Sequence, residues 1–332
     1  MAHELDMSND RANMAYVGEV PWHGLGQQLP ADASIEEWRK AAGMDWEILN
    51  SPLAWYDPED GGIMRPVPDR LALFRSDTKS HLSIVSDSYK VVQPGEVLEF
   101  YRDIVGAAGL SLETAGVLFG GRKFWALAKI NQSERIMGQD EIDGYLLLAT
   151  SCDGSLATTA QFTSIRVVCN NTLSYSVAAG EAGHSKKYLK VPHNRAFDPD
   201  EIKAELGLAA DSWEQFIARA NALAGKKLER AQAIQVLADA LKVETQDEET
   251  GEPLDVEKTN KKLREIIRLY EGDGLGSSYR SADGTAWGLL NAVTEYEDHR
   301  RNTKTTDNRL NSAWFGEGAA LKDRVFDLLM AA

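Results

Sequence analysis

The most regular hydrophobic–polar patterning lies between Leu110 and Ala179. Leu112 to Phe119 and Arg122 to Ile130 read as paired strands, because Gly120-Gly121 between them supplies the positive φ that a tight hairpin turn needs. Tyr145–Ser151 and Ser155–Phe162 repeat the pattern around Asp153-Gly154, which predicts a second hairpin. At Arg166 the period changes. Val167, Val168, Thr172, Leu173 and Val177 share one helical face, which predicts a covering helix over 166–179. The fold class expected is α+β: a central antiparallel β-meander of two hairpins covered by helices, followed by a helical C-terminal region.

The flanks divide the chain further. Residues 1–30 read as an extended lead-in ending in Pro21-Trp22-His23-Gly24-Leu25-Gly26, and 31–195 as the α+β core with its meander over 110–163. Ser34 and Glu37 form the capping-box pattern for a short helix that Gly43 ends. Trp46–Leu53, Arg70–Arg75 and Leu82–Ser86 read as strands, and the Pro/Asp/Gly-rich 57–69 stretch as a loop. Val97, Leu98, Tyr101, Ile104 and Val105 recur at three and four between Pro94 and Gly109, an amphipathic helix. The 196–332 region is expected to be helical near Ile202 and over 212–223, 259–270, 285–299 and 319–330, with an exposed acidic loop at 244–257.

Composition excludes some classes. No apolar run reaches the roughly 18 residues of a membrane span. Met1–Arg11 carries no apolar signal-peptide segment, so a cytoplasmic protein is expected, in a bacterial host. Two cysteines, Cys152 and Cys169, are too few for a disulfide framework and read as buried reduced thiols. A net charge of −15 argues against a protein that coats nucleic acid over its whole surface, and leaves room for a local basic groove.

Enzyme chemistry has no sharp signal. His23 has no second His or Cys at ligand spacing, and the six histidines suggest no metal site, so no metal and no cofactor is expected. Gly272-Asp273-Gly274-Leu275-Gly276 lacks the preceding strand and the lysine of a phosphate loop and reads as a helix connection. Glu295, Glu297 and Asp298 read as a solvated helix face. No catalytic residue emerges.

The cations are more informative. Arg122 and Lys123 open the strand after the glycine pair, and alternation places Lys123, Trp125 and Lys129 on one face. Cation–aromatic–cation spacing supplies the ingredients of a stacking platform for unpaired bases. Lys186, Lys187, Lys190, His193 and Arg195 form a basic run beyond the meander, and Arg300, Arg301, Lys304 and Arg309 a second patch. That patch suits a helix-end charge complement, a phosphate contact or an oligomer contact.

Four strings resemble the phage/plasmid-like protein family, domain-of-unknown-function family 932: Pro21-Trp22-His23-Gly24-Leu25-Gly26, Tyr89-Lys90-Val91-Val92-Gln93, Arg166-Val167-Val168-Cys169-Asn170-Asn171-Thr172-Leu173 and Gly284-Thr285-Ala286-Trp287-Gly288-Leu289-Leu290-Asn291-Ala292. The resemblance runs from about residue 14 to 325 and implies a mobile-element protein with no activity to transfer residue by residue. The order of elements is also similar to ring-forming single-strand annealing proteins, in which a sheet and a helix from each subunit line a cationic groove. That resemblance makes Lys123, Lys129, Arg166, Lys186, Lys187, Lys190 and Arg195 the groove candidates, beside Arg122 and Trp125.

The function expected is therefore single-stranded DNA binding and annealing in homologous recombination. The protein would be a non-enzymatic homo-oligomer, a ring in the annealase pattern, working with host or phage recombination proteins and no membrane. Two alternatives stand beside it: a nucleic-acid- or nucleotide-processing enzyme, and an acidic protein that blocks a host factor.

Overall fold

A computed structural model describes residues 12–18, 26–107, 109–166, 168, 171–174, 189–190, 213–246, 250–304 and 306–331. They fall into two units. The first draws on Met1–Lys129, Leu146–Gln161 and Tyr188–Leu206, the second on Ile130–Tyr145, Phe162–Lys187 and Gly207–Ala332.

In the first unit, Ser34 caps α1 (Ile35–Ala41). Its hydroxyl accepts the Glu37 N–H at 3.3 Å while the Glu37 carboxylate accepts the Ser34 N–H at 2.7 Å, so two otherwise orphaned amides are satisfied. β3 (Ile48–Asp57), β4 (Ile63–Arg75) and β5 (His81–Ser86) form a three-stranded antiparallel sheet. The expected loop at 57–69 is thus mostly strand. Pro66 and Pro68 suggest a break, but β5 pairs with β4 only over Arg70–Phe74, so the prolines sit where β4 has one neighbour and fewer ladder bonds to lose.

The larger sheet of this unit runs β2-β1-β6-β7-β8-β9, with β1 Met14–Val17, β2 Gln27–Leu29, β6 Ser111–Leu118, β7 Lys123–Ile136, β8 Asp140–Ser151 and β9 Thr159–Arg166. β1 lies parallel to β2 and antiparallel to β6. β6 and β7 pair as the glycine turn predicts, with Gly116 opposite Trp125 and a bulge between Leu112 and Thr114. β11 (Leu189–Lys190) pairs with Ala160 and Thr159 of β9. Helix α2 (Pro94–Ala107) buries all five of its predicted apolar residues, and the Tyr101 hydroxyl donates to the Phe124 carbonyl at 3.3 Å.

In the second unit, the far ends of β7 and β8 meet at a turn after Ile136, and β9 pairs with β10 (Asn171–Ser174). That pairing corrects the helix expected over 166–179. Asn171 stands opposite Arg166 and Thr172 opposite Ile165, so the chain reverses into a hairpin instead of coiling. Thr172 is β-branched, and the helical phasing of so short a window is outweighed there by strand preference and by the pairing with β9.

Among the described residues seven helices follow: α3 with its described part at 213–225, α4 (Arg230–Leu241), α5 (Val256–Thr259), α6 (Lys261–Arg268), α7 (Ala286–Glu295), α8 (Thr306–Phe315) and α9 (Glu317–Ala331). Wider π-type turns extend α6 through Leu269–Asp273 and α7 through Tyr296–Arg300. α7 is buried along its whole length, with Trp287 edge-on to Phe216 at 6.5 Å. The 285–292 string owes its residue types to this position. Thr285 caps α7 by accepting the Gly288 N–H at 3.1 Å, and a Cβ on Gly288 would stand 1.9 Å from the Ala282 carbonyl oxygen. The helix expected near Ile202 lies outside the described residues.

Candidate nucleic-acid interface

The connection between β6 and β7 is a single 3-10-like turn, Phe119–Gly121, and all three residues have positive φ, at 56°, 68° and 98°. Glycine accepts that region freely, whereas for a bulky side chain such as Phe119 it costs about 1–3 kcal/mol. Gly121 is required sterically as well, since a Cβ there would stand 2.3 Å from the Trp46 ring.

Such a turn persists only when its surroundings over-determine it. Here every carbonyl that follows Phe119 is tied. The buried Arg75 guanidinium lies 4.2 Å over the Trp46 ring and donates to the Gly120 carbonyl at 3.1 Å. The same group holds Asp77 in a two-pronged ion pair at 2.9 and 2.7 Å, and its hydrogen bonds keep the Asp77 carboxyl below its ordinary value. Cys152 takes the other carbonyls: its N–H donates to Arg122 at 3.0 Å and its thiol to Gly121 at 3.5 Å. Burial first, then the Asp153 charge, pushes that thiol up to about 12, so Cys152 is a protonated donor and not a nucleophile.

The braced turn carries one half-buried aromatic with two cations beside it. The Arg122 guanidinium and the Lys123 ammonium each lie 5.7 Å from the Phe119 ring centroid. Arg122 is exposed and donates to the Phe119 carbonyl, and it pairs with no carboxylate among the described residues. Lys123 is half-buried, and that burial holds its ammonium below its ordinary value despite Asp153. Burial alone would raise Asp153, but hydrogen bonds from Ser155 and Ser151 and the Lys123 charge hold it below its ordinary value. Tyr89, half-buried, is raised by burial and then by the Asp153 charge. A joined set of perturbed groups thus surrounds the turn.

The platform expected at Trp125 is not there. Trp125 is 3% exposed, its ring lying across Gly116, where a Cβ would stand 3.1 Å from the indole. The parity of Lys123, Trp125 and Lys129 is as alternation gives it, but Trp125 and Leu127 between the two lysines are buried and Lys129 is half-buried. The cross-strand glycine makes room for the ring to lie down on the sheet instead of standing in solvent. The aromatic that does accompany the cations is Phe119, which reads from sequence as a strand end. Its signal was adjacency to Gly-Gly-Arg-Lys.

Of the remaining candidates, Arg166 stands in β9 opposite Asn171, and Lys190 in β11 opposite Thr159. Lys186, Lys187 and Arg195 lie outside the described residues, as do His23 and Cys169. Arg135, further along β7, is spent on Glu141 at 2.9 Å.

In the second unit, the carboxylates expected on a solvated face are buried. Glu295 is 2% exposed, Glu297 0% and Asp298 5%. Arg300 donates to Glu295 at 2.9 Å, Lys262 and Arg301 to Glu297, and the buried Lys322 to Asp298. The Gly272–Gly276 loop holds one of these acids: the Leu275 N–H donates to Glu295 at 2.8 Å, so its amide serves an internal carboxylate. Among the described residues, no group of three His, Cys, Asp or Glu is placed to hold a metal, and no helix is long and apolar enough to cross a membrane.

No curated protein and no solved structure matches the chain. A family model described as "Domain of unknown function (DUF932)" matches residues 81–314, which takes in Tyr89, the Phe119 turn, Cys152 and α7. With well over half of its length matched, the chain belongs to the DUF932 family.

Proposed function

We propose that the protein binds single-stranded DNA through the Phe119 turn and promotes annealing as a homo-oligomer, in the recombination of a phage or plasmid. The observation that carries the reading is the Phe119 ring with Arg122 and Lys123 each 5.7 Å from its centroid, on a strained turn that Arg75 and Cys152 brace. An aromatic face accepts any unpaired base, and the adjoining cations meet the phosphates on either side of it. Stacking of this kind contributes about 1–3 kcal/mol per base, without sequence readout. Duplex bases are already stacked on each other, so the single strand is favoured.

The net charge of −15 shapes the mode of binding. Averaged over the chain that charge repels a polyanion, so each subunit contacts few nucleotides, and avidity comes from several copies on one strand. The homo-oligomer part draws on the β3–β4 hairpin, where Trp55, Tyr56, Ile63 and Met64 are 49–61% exposed, more apolar surface than one arm of a monomer normally shows. Pro66 and Pro68 cannot donate to an added strand, so a second copy would dock on the faces of this hairpin and not extend its edge.

The test is fluorescence anisotropy with labelled single-stranded and duplex DNA at about 25 and about 200 mM salt, a span over which phosphate contacts weaken measurably. Salt-sensitive binding that prefers the single strand, and that drops in Phe119→Ala, supports the reading. Removal of Arg122 should flatten the salt dependence by about 0.7 in log–log slope, one phosphate contact on a single strand. No binding at the lower salt would overturn it, and the acidic, host-factor-blocking reading would take its place.

A further inference from the structure

The second basic segment, after α7, builds a pocket that the reading above does not use. Loop 301–304, one face of α8 and the junction before α9 enclose an open hollow of about 540 Å³. Asn308, Asn311 and Ser312 stand at i, i+3 and i+4 on α8, so all three line it from one helix face. Apart from one glycine, every lining side chain ends in an amide, a hydroxyl or a charge.

The charges inside are held in place before any ligand arrives. Arg301 donates to the fully buried Glu297 at 3.2 Å and to Ser312, and lies 3.5 Å from Glu317. Lys262 also pairs with Glu297. Lys304 is exposed and makes no ion pair among the described residues. Among the described side chains, Arg301, Lys262 and Lys304 therefore face Glu297 and Glu317, leaving one positive charge. Glu317, 91% exposed, is free to turn to solvent and leave a second. The Ser312 hydroxyl accepts from Arg301 and from the Gly318 N–H at 3.1 Å, which leaves its own proton for an incoming acceptor.

We propose that this pocket binds the phosphate monoester of a nucleotide. A phosphate monoester offers three acceptor oxygens and one to two negative charges, which matches the Lys304 ammonium, the Ser312 hydroxyl and the Arg301 charge better than the two oxygens of a carboxylate. The volume falls within the range of ligand-binding pockets, so a sugar and base have room beside the phosphate. The same chemistry could arrive as a free mononucleotide or as the 5′-phosphate that ends a DNA strand.

Isothermal titration of the full chain with adenosine monophosphate, inorganic phosphate and oligonucleotides bearing a 5′-phosphate or a 5′-hydroxyl tests the proposal. Saturable binding of the mononucleotide, competed by inorganic phosphate and weakened about tenfold or more in Lys304→Glu and in Ser312→Ala, identifies a free-nucleotide site. A preference for the 5′-phosphorylated strand alone, lost in the same variants, identifies a strand-end site. Binding unchanged in Lys304→Glu overturns the proposal. So does the absence of both mononucleotide binding up to about 10 mM, weaker than any useful affinity, and a 5′-phosphate preference. The 5′-hydroxyl strand reports on the Phe119 turn independently, since its binding should fall in Phe119→Ala and not in Lys304→Glu.

Discussion

Trp287 donates its indole N–H to the Asp140 carboxylate at 3.0 Å, and Ser281 donates its hydroxyl to the same oxygen at 2.9 Å. All three residues are buried, and Asp140 opens β8 while Trp287 lies in the first turn of α7. The carboxylate thus ties the β-hairpin of the second unit to its central helix. Asp140→Ala should leave two buried donors unsatisfied at about 1–3 kcal/mol each. Thermal unfolding should show a loss of several degrees, with Asp140→Asn milder because its carbonyl oxygen still accepts. Equal midpoints for the wild type and Asp140→Ala would show that the contact contributes nothing.

What could be read from sequence tracks how local its cause is. The Ser34–Glu37 capping box and α2 were legible because every residue that decides them lies within one or two helical turns. The Gly120-Gly121 hairpin was legible for the same reason, while the orientation of Trp125 was not, because Gly116 on the neighbouring strand decides it. The burial of Glu295, Glu297 and Asp298 was invisible. Their partners include Lys262 and Lys322, tens of residues away, and a charged run without visible partners reads as solvated. The β9–β10 hairpin was misread where helical phase and β-branching disagreed, and the pairing partner settled it.

The Asp298–Lys322 pair makes a sharper test, since both side chains are almost wholly buried, at 6% and 3% exposure. Removing one partner from a buried ion pair strands the other charge at about 3–5 kcal/mol. Lys322→Met should therefore destabilise the protein strongly in urea unfolding. Asp298→Leu combined with Lys322→Met should recover most of the loss, because the desolvation penalty disappears with the charge. If the double variant is no more stable than Lys322→Met alone, Asp298 is held by its other contacts and the pair is not the unit of stability.

Stability should fall on the alkaline side. Burial pushes the Cys152 thiol from its ordinary 9.0 up to about 12, and burial with the Asp283 and Glu271 charges takes the Tyr270 hydroxyl from 10.0 up to about 12. Both groups ionise earlier in the unfolded chain than in the folded one. The stability they contribute is complete below pH 9 and is lost as pH rises toward 12. Cys152→Ala should flatten the part of the curve that begins near 9, and Tyr270→Phe the part that begins near 10. Equilibrium unfolding at stepped pH reads both. An alkaline limb identical in the wild type and both variants would assign the loss to other groups.

Under the proposed single-strand binding, Phe119 separates the demands of folding from those of binding. Its φ of 56° is a conformation that glycine adopts freely, and Gly120 and Gly121 beside it already do so. Phe119→Gly should relieve about 1–3 kcal/mol of backbone strain. Against this stand the packing of the half-buried ring, its contacts with Arg122 and Lys123, at least about 0.5–1 kcal/mol each, and glycine's greater freedom in the unfolded chain, about 0.5–1 kcal/mol. The terms nearly cancel, so the unfolding midpoint should move little or rise slightly. Single-strand affinity should fall about tenfold or more, the loss of one base stack. Phe119→Ala keeps the strain and loses the ring, so it should be the less stable of the two while binding equally poorly. A residue retained for packing would give the opposite ordering. Phe119→Gly would then lose stability and leave single-strand affinity unchanged.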